Sequence, residues 1–153
     1  MKSKASIEIR RPIADVFAYI ADVGSMPRWV TGVKDTQMLS PEMGVGAHYI
    51  VEYSGGWRTL ELEAEVTAYD PPHVFSTEMA RGPFAFEGTF RLEPTAEGTL
   101  VTSDVEAGEE SLSTRVVMVL FGAIIRRSMK RRLLTELHAL ETSMHGTSPT
   151  AEV

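Results

Sequence analysis

Few residues in this chain can do chemistry. The four histidines are His48, His73, His138 and His145. No two of them stand at His-x-x-x-His spacing, and no His-Glu-x-x-His occurs, so no helical zinc site is expected. The absence of cysteine removes disulfides, thiolate metal sites and a thiol nucleophile together. Gly44-Val45-Gly46 lacks the third glycine and the following helix of a dinucleotide loop. No Gly-x-Ser-x-Gly elbow is present. Neither a cofactor nor a metal is expected. What remains is a set of aromatic, apolar and hydroxyl side chains at alternating positions. Tyr49, Val51 and Tyr53 share one parity, and Leu62 shares its own with Arg58. Phe75 goes with Thr77, and Phe86 with Phe90, while Ser103 lies between Val101 and Val105. An apolar surface with a few placed polar groups is the usual lining of a small-molecule pocket.

Within that set, Tyr49, Tyr53 and Arg58 are the residues that could orient an oxygenated apolar ligand. Arg58 could stabilise an enolate or a carboxylate as an oxyanion clamp does. The plainer alternatives are that Arg58 reaches solvent from a strand end and that the tyrosines are core residues with hydroxyls at the rim. Trp29 is either a pocket wall or ordinary core. Glu61, Glu63, Glu65, Glu78, Glu87, Asp104 and Glu106 take the opposite parity. They read as a solvated outer face, whereas a carboxylate-pair catalyst needs its carboxylates turned inward.

These positions depend on strands. Ala5 to Arg10 alternates, and Pro12 ends it while opening a short amphipathic helix on Ile13, Val16, Phe17 and Ile20. Asp22 caps a second short helix carrying Met26, Trp29 and Val30, which Gly32 stops. A weak strand is expected at Asp35 to Ser40. Stronger ones follow at Ala47 to Ser54, Trp57 to Tyr69, His73 to Ala80, Phe84 to Leu92 and Thr99 to Ala107. In the longest, Leu60, Leu62, Ala64, Val66 and Ala68 face one way, and Thr59, Glu61, Glu63, Glu65 and Thr67 the other. That period of two describes an antiparallel sheet with one wet face. Its apolar face needs a cover, and Ser111 to His145 is the one segment with helical spacing long enough. Leu133, Leu137, Leu140 and Met144 form one stripe of that helix. Val117, Phe121, Ile124 and Ile125 form another, rotated away from the first. Gly122 leaves three readings open: room for a ligand, close approach of another chain, or a kink. Phe121 and Ile125 are the helix residues expected nearest a ligand.

The chain has 153 residues, 43% of them hydrophobic, and a net charge of -6. This predicts one domain over residues 1–145 with a flexible tail at 146–153, and argues against a nucleic-acid binder. The N-terminus lacks the apolar stretch of a signal peptide. The longest nearly continuous apolar run, Val116 to Ile125, is about half the roughly 20 residues that span a bilayer. A cytoplasmic protein with no transmembrane segment is expected. The basic cluster Arg126 to Arg132 reads either as a solvated helix face or as a contact for an anionic surface.

In order along the chain stand Arg11-Pro12 to Val16-Phe17, Ile20-Ala21-Asp22, Pro27-Arg28-Trp29 and Val45-Gly46. Then come Val66-Thr67-Ala68-Tyr69-Asp70-Pro71-Pro72, Gly82-Pro83-Phe84 to Gly88-Thr89-Phe90, Gly98-Thr99 with Val101-Thr102, and the terminal helix. Together these resemble the START-like, SRPBCC superfamily, in particular its polyketide cyclase/dehydrase-like branch, over nearly the whole chain. The resemblance implies an α+β helix-grip fold. In it a curved antiparallel sheet of six to seven strands wraps a long C-terminal helix, two short helices follow strand 1, and a hydrophobic cavity lies between sheet and helix. Since this fold hosts many functions, three readings follow. The first is a carrier or sensor of a small hydrophobic molecule of lipid, isoprenoid or polyketide type. The second is a polyketide cyclase or dehydratase, and the third a protein-interaction module. A homodimer through the first half of the terminal helix is also expected.

Overall fold

A computed structural model of the chain describes residues 2–55, 58–81, 85–107 and 130–144, apart from the side chains of Arg58 and Ala107. Seven strands form one antiparallel sheet. They are β1 (Lys2–Ile9), β2 (Val33–Met38), β3 (His48–Gly55), β4 (Arg58–Asp70), β5 (Val74–Arg81), β6 (Phe86–Pro94) and β7 (Thr99–Ala107). Their order across the sheet is β1-β7-β6-β5-β4-β3-β2. Strands 2 to 7 are therefore a meander of sequence neighbours, as short polar turns favour. Among the described residues the one pairing between strands distant in sequence is β1 on β7, with Lys2 opposite Glu106 and Ile9 opposite Thr99.

Helix α1 (Ile13–Ala21) follows β1 and buries Val16, Phe17, Ile20 and Ala21. Their spacing puts them on one side of a helix, away from Asp15. The second short helix expected from sequence is two pieces. Val23–Ser25 is a 3-10 turn whose start is capped by the Asp22 carboxylate, which accepts from the Gly24 amide at 3.0 Å. Met26–Trp29 is a single α-turn, α2. Strand β1 begins at Lys2, three residues earlier than the alternation suggests, because the pairing with β7 continues past the apolar pattern.

One face assignment is corrected. Alternation places Ala68 on the inner face with Val66. The register instead shifts between Val66 and Ala68, with Val66 opposite Thr77 and Ala68 opposite Ser76. Thr67 is the extra residue of a β-bulge, and a bulge reverses the parity of everything beyond it. Tyr69 thereby turns inward. Its ring lies 5.7 Å from Phe17 and 6.3 Å from Phe75, with Phe17 and Phe75 also in edge contact.

The described part of the terminal helix, α3, covers residues 130–144. Leu133, Leu137, Leu140 and Met144 are all buried, in one cluster with Ile9, Phe17, Phe75, Leu92 and Val101. The end of α3 is tied to α1 and to the residue leading into it as well. Arg11 donates to the Met144 carbonyl at 3.3 Å, and the Tyr19 and Ser143 hydroxyls share a hydrogen bond. The expected helix between Ser111 and Met129, its dimer surface and the tail 146–153 lie outside the described residues.

Candidate functional site

The inner face of the sheet changes character along its length. Near α1 it is sealed: Phe75, Leu92 and Val101 are at most 4% exposed. Toward the β3–β4 turn the same strands present half-buried side chains. Val66 gives way to Ala64, Leu62 and Leu60 on β4; Tyr49 and Val51 give way to Tyr53 on β3; Phe75 gives way to Thr77 and Met79 on β5. On β6, Leu92 gives way to Phe90 and Phe86. The half-buried set is apolar or aromatic except for Thr77 and the Tyr53 hydroxyl. No carboxylate or imidazole of the described strands shares this face, since each acidic residue alternates with one of these side chains.

Several candidates meet in pairs. Trp29 is buried, and its indole N–H donates to Ser25 Oγ at 3.0 Å. Ser25 Oγ in turn donates toward the carbonyls of Asp22 and Tyr19. This chain of bonds fixes the indole, which stands edge-on to Phe90 with centroids 5.7 Å apart. Phe90 is opposite Phe75 on one side and Ser103 on the other. Phe75 belongs to the sealed end, wedged between Phe17 and Tyr69, and Ser103, two strands away on β7, is also buried. Val51 is opposite Leu62, and Phe86 is opposite Ala107. The backbone of Arg58 pairs with Gly55; its side chain, with Phe121 and Ile125, lies outside the described residues.

Tyr49 is only 3% exposed. Burial raises its pKa above the ordinary phenol value of 10.0, and a hydrogen bond with Thr77 opposes this in part. The phenol is thus a neutral hydroxyl on an apolar wall. The folded state holds the Tyr49 proton more tightly than the unfolded chain does. Its contribution to stability is complete below about pH 10 and is lost as pH rises through the higher folded value. Ultraviolet titration of the folded protein should show a late-ionising tyrosine. Tyr49→Phe should remove that component; a profile unchanged by the substitution would assign the burial elsewhere.

Tyr53 has a partner that the sequence does not announce. Arg132 Nη2, one turn before Glu136 on α3, donates to the Tyr53 hydroxyl at 2.8 Å and to the Thr31 carbonyl at 3.0 Å. The guanidinium carbon lies 5.6 Å from the Tyr53 ring centroid. Partial burial pulls the Arg132 pKa down, but the bond to Tyr53 and the Glu136 charge more than offset this, so the net shift is upward. The i, i+4 spacing of Arg132 and Glu136 was a visible signal; the Thr31 peptide between them was not. Tyr69, turned inward by the bulge, was hidden for the reason given above.

Gly32 follows Thr31 at φ +88°, and a β-carbon there would stand 2.6 Å from the Tyr53 ring. Glycine is therefore required twice over, by backbone sign and by contact. A shallow, solvent-open depression is lined by Pro27 to Lys34. All its walls come from this one stretch of chain, so it is a local feature and not the space between sheet and helix.

His48 faces outward, opposite Glu65. His48 Nδ1 is 2.6 Å from a Glu63 carboxylate oxygen and Nε2 is 3.4 Å from Glu65. Both ring nitrogens therefore face carboxylates on the outer side of the sheet. Among the described residues no group of three or more histidines or carboxylates could hold a metal ion. No helix among them is long and apolar enough to cross a membrane.

A family model described as polyketide cyclase / dehydrase and lipid transport matches residues 1–145. The chain belongs to this family. Solved structures agree on the fold. TTHA0849 from Thermus thermophilus is 17% identical with a TM-score of 0.78, over 97% of this chain and 99% of that one. A START superfamily protein from Mycobacterium smegmatis is 15% identical with a TM-score of 0.76, over 96% and 99%. The di-domain ARO/CYC StfQ from the steffimycin biosynthetic pathway is 12% identical with a TM-score of 0.74. It is covered over 52% of its length by 99% of this chain. No curated protein sequence matches the chain.

Proposed function

We propose that this protein is a cytoplasmic carrier or sensor that holds a small hydrophobic molecule between the sheet and the C-terminal helix. The observation that carries the reading is the burial gradient of the inner face. Strands that are sealed by α1 and α3 at one end present half-buried Tyr53, Leu62, Thr77, Phe86 and Phe90 at the other. Trp29 and Phe90 form an edge-to-face wall, and the Tyr49–Thr77 pair offers a neutral polar contact. Such a surface suits a largely apolar ligand of lipid, isoprenoid or polyketide type with one or two oxygens. Membership of a family whose description includes lipid transport supports the same class.

A cyclase or dehydratase needs groups that move protons at the reacting carbon. On the described inner face the titratable groups are tyrosines, Tyr49 is held neutral by burial, and no carboxylate or imidazole of the described strands stands there to exchange protons with them, which favours binding over turnover. The test is to measure fluorescence of an uncharged apolar dye, Nile red, on purified protein, with mass spectrometry of molecules extracted from it. Leu62→Trp places added volume in the half-buried region without opening a cavity. It should weaken dye binding at least about tenfold, which corresponds to about 1.4 kcal/mol, with little change in melting temperature. Wild-type protein that binds no dye and yields no extracted molecule would defeat the reading.

A further inference from the structure

Four serine and threonine side chains are buried among the described residues: Ser25, Ser76, Thr99 and Ser103. Three of them are bonded. Ser25 Oγ donates toward the Asp22 and Tyr19 carbonyls and accepts from Trp29. Ser76 shares a hydrogen bond with Thr89 at 2.8 Å, and Thr99 donates to the Arg11 carbonyl. Ser103, 4% exposed, makes no side-chain hydrogen bond among the described residues. A hydroxyl withdrawn from water without a partner is a cost that alanine, nearly the same size, would not carry. Every fully enclosed side-chain oxygen or nitrogen of the described residues has a partner. The Ser103 oxygen, lacking one, therefore borders open space.

That space lies on the inner face. Ser103 has the parity of buried Val101 and Val105, and in register it stands between Ala5 on β1 and Phe90 on β6. Phe90 is half-buried and meets the edge-on Trp29 indole. Diagonally across from Ser103, Gly88 is opposite Val105 on one side and Thr77 on the other. Its φ is not positive. A β-carbon there would touch the Phe86 ring at 3.4 Å and, beyond its chain neighbours, no other described residue within 4 Å. Neither backbone sign nor crowding by these residues calls for glycine. Inside a strand, glycine often marks a place where another group comes close to the backbone.

We infer that Ser103 is the hydrogen-bonding contact for the buried end of the ligand, and that the group it takes is an uncharged oxygen, a hydroxyl or a ketone. This assignment rests on the binding reading above and narrows it. A serine hydroxyl donates to either group. Neither its register partners, Ala5 and Phe90, nor Val101 and Val105 beside it on β7 carries a charge. A carboxylate placed there would lose its hydration with no counter-charge from these neighbours. The ligand is thus an apolar alcohol or ketone, and not a fatty acid entering carboxylate first.

The test is displacement of Nile red by naphthalene, 2-naphthol and 2-naphthoate from wild-type protein, Ser103→Ala and Thr77→Val. In Ser103→Ala the affinity for 2-naphthol should fall about fivefold, and that for naphthalene should stay the same. 2-Naphthoate should bind wild type at least about tenfold more weakly than 2-naphthol. Without any probe, Ser103→Ala should melt no lower than wild type. A lower melting temperature would show that the hydroxyl is bonded within the protein, and would overturn the assignment. Dye binding with no displacement by 2-naphthol, or the same 2-naphthol affinity in both proteins, overturns the Ser103 contact alone. So does an equal loss for naphthalene and 2-naphthol. If Thr77→Val weakens 2-naphthol and Ser103→Ala does not, the oxygen sits at the Tyr49–Thr77 pair instead. 2-Naphthoate binding as tightly as 2-naphthol overturns the restriction to uncharged oxygens. Wild-type protein that binds neither dye nor probe overturns the binding reading, and the Ser103 contact falls with it.

Discussion

Leu140→Ala is expected to lower the unfolding free energy by about 3–5 kcal/mol. Leu140 is 0% exposed, on the helix that covers the sheet. Its neighbours Leu137 and Met144 are nearly as buried, and the turn beyond it is held by Arg11 at the Met144 carbonyl and by Tyr19 at the Ser143 hydroxyl, so the site cannot collapse to refill the volume. For a chain of this size that loss corresponds to a melting temperature about 6–20 °C lower. It is a large part of the roughly 5–15 kcal/mol that keeps a domain folded. Urea denaturation should show the midpoint falling with the slope unchanged. Leu134→Ala, on the half-buried side of the same helix, should cost much less. A loss below about 1 kcal/mol at Leu140 would mean that α3 does not seal the sheet in the way described.

The contrast between Leu140 and Arg132 shows which parts of this molecule were readable from sequence. Leu133, Leu137, Leu140 and Met144 repeat every three or four residues, and burial of an amphipathic stripe depends on that repeat alone. The alternation of Leu60, Leu62, Ala64 and Val66 with glutamates was equally plain and gave the inner face of β4. It failed at Thr67, because a bulge adds a residue without any change of residue type; Tyr69 was lost to that one step. The pairing of Arg132 with Thr31 was out of reach for a different reason. It joins residues a hundred positions apart, and backbone groups carry no sequence signature. The site shares this division. The inner-face placement of Phe86 and Phe90, and of Leu62 and Tyr53, followed from period and parity. What they lead to, and what holds the helix beside them, depends on tertiary contacts made by Trp29, Thr31 and Arg132.

Gly98→Ala should be at least as damaging as any single core truncation outside α3, and it tests a contact that looks like a turn in the sequence. Gly98 does sit in the β6–β7 turn, where the Thr95 amide donates to its carbonyl at 2.8 Å. A β-carbon there, however, would stand 2.1 Å from the Ile9 carbonyl oxygen, 2.9 Å from the Ile9 carbonyl carbon and 2.8 Å from the Arg10 α-carbon. All three are backbone atoms, so no side-chain rotation relieves the clash. Either the β6–β7 turn or the end of β1 must move. β1 is held at that point by Ile9 opposite Thr99, and Thr99 Oγ1 donates to the Arg11 carbonyl at 2.8 Å. Ile9 and Thr99 are both fully buried, and the segment leads directly into α1. Overpacking of side chains costs about 1–3 kcal/mol. With only backbone to yield, a loss of about 3 kcal/mol or more is expected, with faster amide exchange at the end of β1. Gly44→Ala, where an added β-carbon meets nothing within 4 Å, should change stability by less than about 0.5 kcal/mol. Equal effects at the two glycines would show that β1 does not close onto the β6–β7 turn. The sealed end of the inner face, on which the burial gradient depends, would then have to be redrawn.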